Sequence, residues 1–479
     1  IGNFVKLDAI TAVNGQAAYT MQNGGSNFTD YESVNQFLVS LNGTIQAPTD
    51  SFTVSGSTLT FASNLSTGDV IDFIMVFGNS LSAGTPTDAT VTTAKLADDA
   101  VTSAKVSDGV LKPPHRNIII NGDMSIAQRG TSETGLGNGD AGYHTVDRFA
   151  FRESGSPTYE FTQTQSTTVP TGQGFAKSLK MDCTTAQGSL AAGDNLRIDQ
   201  RIEGQNLQYL KKGTSSAESL TLSFWVRSNK TGTYIVELLD DDNSRAISKS
   251  YTISSADTWE KKTITYSGDT TGTLDNDNAS SLKCSFWLAA GTNYTSGSLQ
   301  TSWGSLTTAN RAVGQVNLAD STSNEWYITG VQLEAGTSAS DFEFLPVDVN
   351  LKRCERYYQK SFNYSTLPAD NTNSEFIYQY IEPYSGGNMA GLRTHYNTVM
   401  RAKPTVTLYT TAQGSGQGTG KISFYNGSSW GTASASLQAA SSHKFHHLEG
   451  SSFSSMKLAQ YNFEATAELW WQMLKKYMI

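Results

Sequence analysis

Apolar and polar residues alternate with a period of two along most of the chain, in short runs separated by Gly, Asn, Asp and Ser, so strands are expected almost throughout. Near the start, Phe37-Leu38-Val39-Ser40-Leu41 runs into Asn42-Gly43 and on to Ile45, a strong hairpin pattern because both turn residues tolerate positive φ. A second hairpin is expected where Phe52-Thr53-Val54 and Leu59-Thr60-Phe61 flank Ser55-Gly56-Ser57, and the apolar run from Asp69 to Phe77 closes a small β-sandwich. Further on, Leu220 to Val226, Tyr234 to Leu239, Ala246 to Ile253, Trp259 to Tyr266 and Leu282 to Leu288 read as strands of a sandwich or jelly roll.

Two stretches break the two-residue rhythm. Val91, Leu96, Val101, Val106 and Leu111 recur every five residues, and Ala94-Lys95-Leu96 returns as Ala104-Lys105-Val106, a spacing that fits neither helix nor strand. One copy cannot bury such a stripe, whereas chains gathered around an axis can, so the repeat points to an oligomeric stalk; a flexible Thr/Ala/Asp linker is the alternative. After Pro346, the spacing of Val347, Leu351, Cys354 and Tyr358 predicts one amphipathic helix through Tyr358. Strands return at Val406 to Tyr409, Ile422 to Tyr425 and Lys457 to Ala467, with a Gly/Ser loop at Gly414 to Gly420, and the run from Leu469 to Met478 fits one more helical face.

The expected fold is therefore all-β: tandem β-sandwich or jelly-roll domains joined by a short repeat stalk, with one short helix before a small C-terminal β-domain. The boundaries fall at 1–85 for the first sandwich, 86–112 for the stalk, 113–346 for the jelly roll and 347–479 for the helix and tip. A chain of 479 residues with 16% charged residues and 42 glycines suits this division better than one large core or long solvated helices. Its net charge of -9 disfavours a phosphate backbone as partner, and no basic patch offsets it, so nucleic acid is not expected. No run approaches the roughly 18 apolar residues that span a bilayer. No targeting segment is visible, and the chain opens on Ile1 rather than Met, which points to processing or to residues preceding it. Cys183, Cys284 and Cys354 are too scattered for a metal site or disulfide framework and read as reduced core residues.

Two stretches resemble bacteriophage tail-fibre proteins. Phe37 to Pro48 together with Phe52 to Phe61 is similar to the amino-terminal β-domain of fibres from short-tailed phages of marine cyanobacteria. Arg116-Asn-Ile-Ile-Ile-Asn121-Gly122-Asp123-Met-Ser-Ile-Ala-Gln-Arg129-Gly130, with Asp147-Arg148-Phe149 and Ile328 to Gly336, is similar to carbohydrate-module-like jelly rolls of phage and prophage fibres, and the helix around Leu351 to Tyr358 follows in the same order. The resemblance implies a homotrimer in the phage tail, assembled in the host cytoplasm. It would attach to other tail or adaptor proteins through its first domain and meet host-cell surface glycan with its distal domains. A purely architectural fibre and a polysaccharide-cleaving spike are the competing functions.

No catalytic residue, cofactor or metal is expected. Asp240-Asp241-Asp242 lies where a hairpin must turn, which explains its carboxylates without chemistry, although a weak calcium site is the rival reading. His443, His446 and His447 lack any accompanying nucleophile motif. By analogy with carbohydrate modules, Asn121-Gly122-Asp123 could pair with Glu334 around a structural cation, but a plain turn is preferred. Ligand binding is assigned to aromatics: Tyr409, Tyr425 and Trp430 beside the Gly/Ser loop, with 411–435 as the preferred receptor-contact region, and Trp225 and Trp287, which alternation places opposite the apolar faces of their strands. For Trp225 and Trp287, packing against a neighbouring subunit or domain is preferred to sugar contact. Trp470 and Trp471 are read as capping a trimer rather than entering a membrane.

Overall fold

The computed structural model describes residues 4–78, 91–92, 96, 115–364, 366–372, 376–380, 393–435, 439–446 and 456–469. It divides the chain into two compact units, Ile1–Thr102 and Ser103–Ile479. Most of the five-residue repeat lies outside the described residues, as do His447, Trp470 and Trp471; Val91 and Leu96 of the repeat are exposed.

The first unit is a small sandwich. A four-stranded sheet takes the order Phe4–Lys6, Ile71–Phe77, Phe37–Leu41, Thr44–Gln46, and a three-stranded sheet the order Ala18–Thr20, Thr58–Phe61, Phe52–Ser55. Tyr19, Phe37, Val39, Phe52, Leu59, Ile74 and Val76 fill one core between them. Asn42 and Gly43 both have positive φ, and Leu41 pairs with Thr44, which is the two-residue hairpin the dipeptide favours. Asp69 stands outside the last strand. Its carboxylate accepts from the Ser66 N–H and the Asn42 side chain, so it closes a turn instead.

The second unit is built on a larger antiparallel sandwich of two six-stranded sheets. The front sheet runs Ser132–Leu136, Glu160–Ser166, Ser178–Thr185, Glu325–Ala335, Leu220–Ser228, Glu260–Tyr266. The back sheet runs Ala150–Ser154, Asn195–Glu203, Ser280–Ala290, Gly232–Asp240, Arg245–Ile253, Gly304–Ser305. Leu222, Phe224 and Val226 from the front and Cys284, Phe286 and Leu288 from the back point into one core, as their alternation requires. Gly122 joins the first turn to the closing strand: its carbonyl accepts from Val331 N–H, and a side chain there would strike the Val331 carbonyl. The three cysteines are buried and unpaired, and burial pushes the Cys183 thiol up to about 11.

The helix occupies Val347–Glu355, with Asp348 in its first turn and Lys352 and Arg353 in its last, each suited to the local end of the helix dipole. It is shorter than its spacing suggested. Val347 is 68% exposed, while Tyr358 has already entered the strand Tyr358–Lys360 and pairs with Thr466. That pairing competes with a further helical turn and wins because it buries Tyr357 and Tyr358. Leu458–Thr466 then serves as the central strand of the C-terminal sheet, pairing with Tyr358–Lys360, Ile377–Tyr380, Thr405–Tyr409 and Lys421–Tyr425, and Trp430–Ser434 adds to the last of these.

A buried polar seam ties this sheet to the large sandwich. Arg148 donates to Glu468 and lies 3.4 Å over the Tyr357 ring, Arg129 meets Glu468 at 3.1 Å and stacks on Tyr358, and Arg356 makes a two-pronged contact with Glu203 at 2.8 and 2.7 Å. Such paired, hydrogen-bonded charges are the form in which ions tolerate burial, and they fix orientation.

Candidate functional site

The expected aromatic positions separate in space. Tyr425 and Trp430 are direct cross-strand partners with ring centroids 5.5 Å apart, both half-buried, at a hairpin whose turn is held by Asn426 accepting from Ser428 and Ser429 N–H. Tyr409 does not join them. Its hydroxyl donates to Glu464 at 2.7 Å and its ring packs on Phe362. The segment Gly414 to Gly420 forms the expected loop, crossed by hydrogen bonds from Lys421 and Thr432 to the Gly416 carbonyl.

Trp225 and Trp287 both point away from the core but belong to opposite sheets, so they face opposite outsides of the sandwich. Trp225 is half-buried on the front face, level with Lys261 and Thr329. Trp287 is 0% exposed, which corrects its assignment as a ligand contact. The excursion between Gly291 and Val316 folds over it: Ile235, Ala312, Tyr294 and Leu299 pack around the indole, and Arg197 and Arg311 sit 5.0 Å from its ring centre. Arg311 is locked there by Glu237, which accepts from its Nε and Nη2 at 2.8 and 2.7 Å.

The remaining candidates are structural. Asp240 is buried and accepts from the Asn243 N–H, Asp241 pairs with Lys283 at 2.7 Å, and Asp242 accepts from the Asp275 N–H, so the three carboxylates diverge. Asn121 bonds within its own turn to Ile126, and Glu334 accepts from the Ser340 N–H and hydroxyl. His443 is exposed beside Ser442. Among the described residues no three His, Cys, Asp or Glu side chains form a metal-sized group.

The sequence reading passed over one site. A cleft of about 540 Å³, within the range of small-ligand sites, opens between the segment His115–Ile120, the end of the strand Asn195–Glu203 with the turns that follow it, and the last turn of the helix. Ile118, Ile120 and Ile202 contribute apolar lining, and Asn117, Gln200, Gln205 and Asn206 contribute amides. Tyr209 stands at its edge with 50% of its surface exposed, yet desolvation pushes its phenol up to about 12, so it remains a neutral hydrogen-bonding hydroxyl.

Three guanidinium groups complete the lining: Arg201, Arg353 and Arg356. Burial opposes the charge of Glu203, but its hydrogen bonds to Arg356 and Tyr357 outweigh this and hold its carboxyl below the usual range, so Arg356 is neutralised. The lining has no Asp or Glu among the described residues. A readable trace of this site existed in Arg197, Asp199, Arg201 and Glu203, alternating charges on one side of a strand whose intervening residues are Ile198, Gln200 and Ile202.

No protein-family model matches the chain, and no curated protein matches it. Among solved structures, a tailspike protein 4 enzymatically active domain from bacteriophage CBA120 aligns over 47% of this chain and 22% of its own length, at 14% identity and a TM-score of 0.26. A family 11 carbohydrate-binding module from Clostridium thermocellum, in complex with a mixed-linked tetrasaccharide, aligns over 44% of this chain and 99% of its own, at 10% identity and a TM-score of 0.23. A carbohydrate-binding module in complex with β-1,4-galactotriose aligns over 46% and 99%, at 11% identity and a TM-score of 0.23. Likenesses this slight carry no residue role or ligand across to this chain.

Proposed function

We propose that this chain is a non-catalytic attachment fibre of a phage tail whose large β-sandwich holds surface glycan. The observation that carries the reading is the ligand-sized cleft edged by Tyr209 and carrying the exposed amides of Gln205 and Asn206, with Asn117 and Gln200 bonded to backbone behind them. An exposed aromatic face suits the C–H face of a sugar ring, and exposed amides suit its hydroxyls. Hydrolysis of a glycosidic bond ordinarily needs two carboxyl groups across the bond, and the cleft lining supplies none among the described residues, which favours holding over cutting. The resemblance of the first unit to fibre amino-terminal domains supports attachment to other tail proteins there, and three copies would turn weak single sites into firm adhesion by raising effective concentration.

The test is binding of the full chain to immobilised cell-surface glycans, with Tyr209→Ala as the control for the site. Binding that falls by about tenfold in the variant, a loss of roughly 1.4 kcal/mol, supports the reading. A chain that binds no glycan points to an architectural fibre, and release of new reducing ends points to a cleaving spike.

A further inference from the structure

Of the three arginines in the cleft, Arg356 is ion-paired by Glu203, whereas Arg201 and Arg353 feel their carboxylates, Asp199 and Glu343, only at longer range. Arg201 is 6% exposed, and its Nε has no hydrogen-bond partner. Arg353 donates to the Asn117 carbonyl at 3.2 Å, and burial works against its charge. Neither has an ion pair among the described residues, where the pairs formed by other arginines of this unit include Arg148 with Glu468, Arg311 with Glu237 and Arg356 with Glu203. The nearby Glu343 carboxylate is occupied by the His115 and Asn117 N–H groups. A guanidinium partly withdrawn from water and not hydrogen-bonded to a carboxylate is incompletely compensated, so two of them lining one cleft leave it receptive to an anion.

We infer that the cleft binds an acidic sugar residue, its carboxylate held by Arg201 and Arg353 and its ring against Tyr209. This rests on the glycan-binding reading above. A planar carboxylate matches the fork of a guanidinium, and the isoleucines and Tyr209 offer a place for the ring that a bare inorganic anion would leave unused.

The experiment compares full-chain binding to a panel of uronate- and sialate-bearing oligosaccharides with binding to the same compounds after their carboxylates are reduced to alcohols. The change is made in the ligand, so folding is untouched. Acidic members should bind at least about tenfold more tightly than their reduced counterparts, the order expected for a lost charge-assisted hydrogen-bonded pair, and Arg353→Gln should shrink that ratio several-fold. Equal binding before and after reduction, or binding confined to neutral glycans, overturns the acidic-sugar inference while leaving glycan attachment intact. Absence of binding to every glycan, acidic or neutral, overturns both. A preference undiminished in Arg353→Gln, or one reproduced by inorganic phosphate or sulfate competing at the same concentration as the sugar, also overturns it.

Discussion

Trp225 and Trp287 hold formally equivalent positions, each outward on a strand whose inward residues fill the same core, and they meet opposite fates. On the front face Trp225 stays half-buried, although its cross-strand neighbour Thr329 is buried and donates to the Asp123 and Lys177 carbonyls, so the cover there stops short of the indole. On the back face the chain leaves the sheet at Gly291, wraps over Trp287 and is pinned by Arg311 on Glu237. The difference lies outside both strands. Alternation states which way a side chain points, whereas the segment that later covers the face decides whether the indole is a contact surface or a second small core.

Removing Trp287 is expected to have the largest effect. Trp287→Ala empties the satellite core and should lower the stability of the second unit by about 3–5 kcal/mol, read by chemical denaturation. A loss below about 1 kcal/mol would mean that the excursion does not pack on the ring. Glu237→Gln comes next: it leaves Arg311 charged, buried and without its carboxylate, and should cost about 2 kcal/mol. It should also raise protease cleavage between Gly291 and Val316 well before global unfolding, since a loop freed of its clamp opens locally. Cleavage unchanged from the parent would show that the apolar packing alone closes the cover.

The same contrast measures how much was legible from residue order. Strand positions and the core face of each were readable because period-two patterning is local: Leu222, Phe224 and Val226, and Cys284, Phe286 and Leu288, all lie where alternation puts them. The Asn42-Gly43 hairpin was readable for the same reason. The end of the helix was not, because Tyr357 and Tyr358 are claimed by a strand more than a hundred residues away. Nor was the arginine cleft, whose lining comes from 115–120, 200–209 and 353–357, brought together only by the fold. Tip aromatics were grouped by proximity in sequence, but Tyr409 is drawn off by Glu464 on the central strand while Tyr425 and Trp430 meet across a hairpin.

The smallest expected effect belongs to Trp225, and its size tests the other half of the contrast. Trp225→Ala in the isolated chain should cost no more than about 1 kcal/mol, since a half-buried ring has less packing to lose than the enclosed Trp287. It should leave binding at the Tyr209 cleft unchanged, because that cleft is lined from the back-sheet strand and the helix rather than from the front face. If front faces of neighbouring copies pack on one another, the cost will instead grow with protein concentration, as mass action requires for a contact made only in the assembly. Melting the parent and the variant across a hundredfold range of concentration therefore separates a surface tryptophan from an interface one. A constant small difference assigns Trp225 to the open face, and a widening one assigns it to a neighbour that does for Trp225 what the excursion does for Trp287.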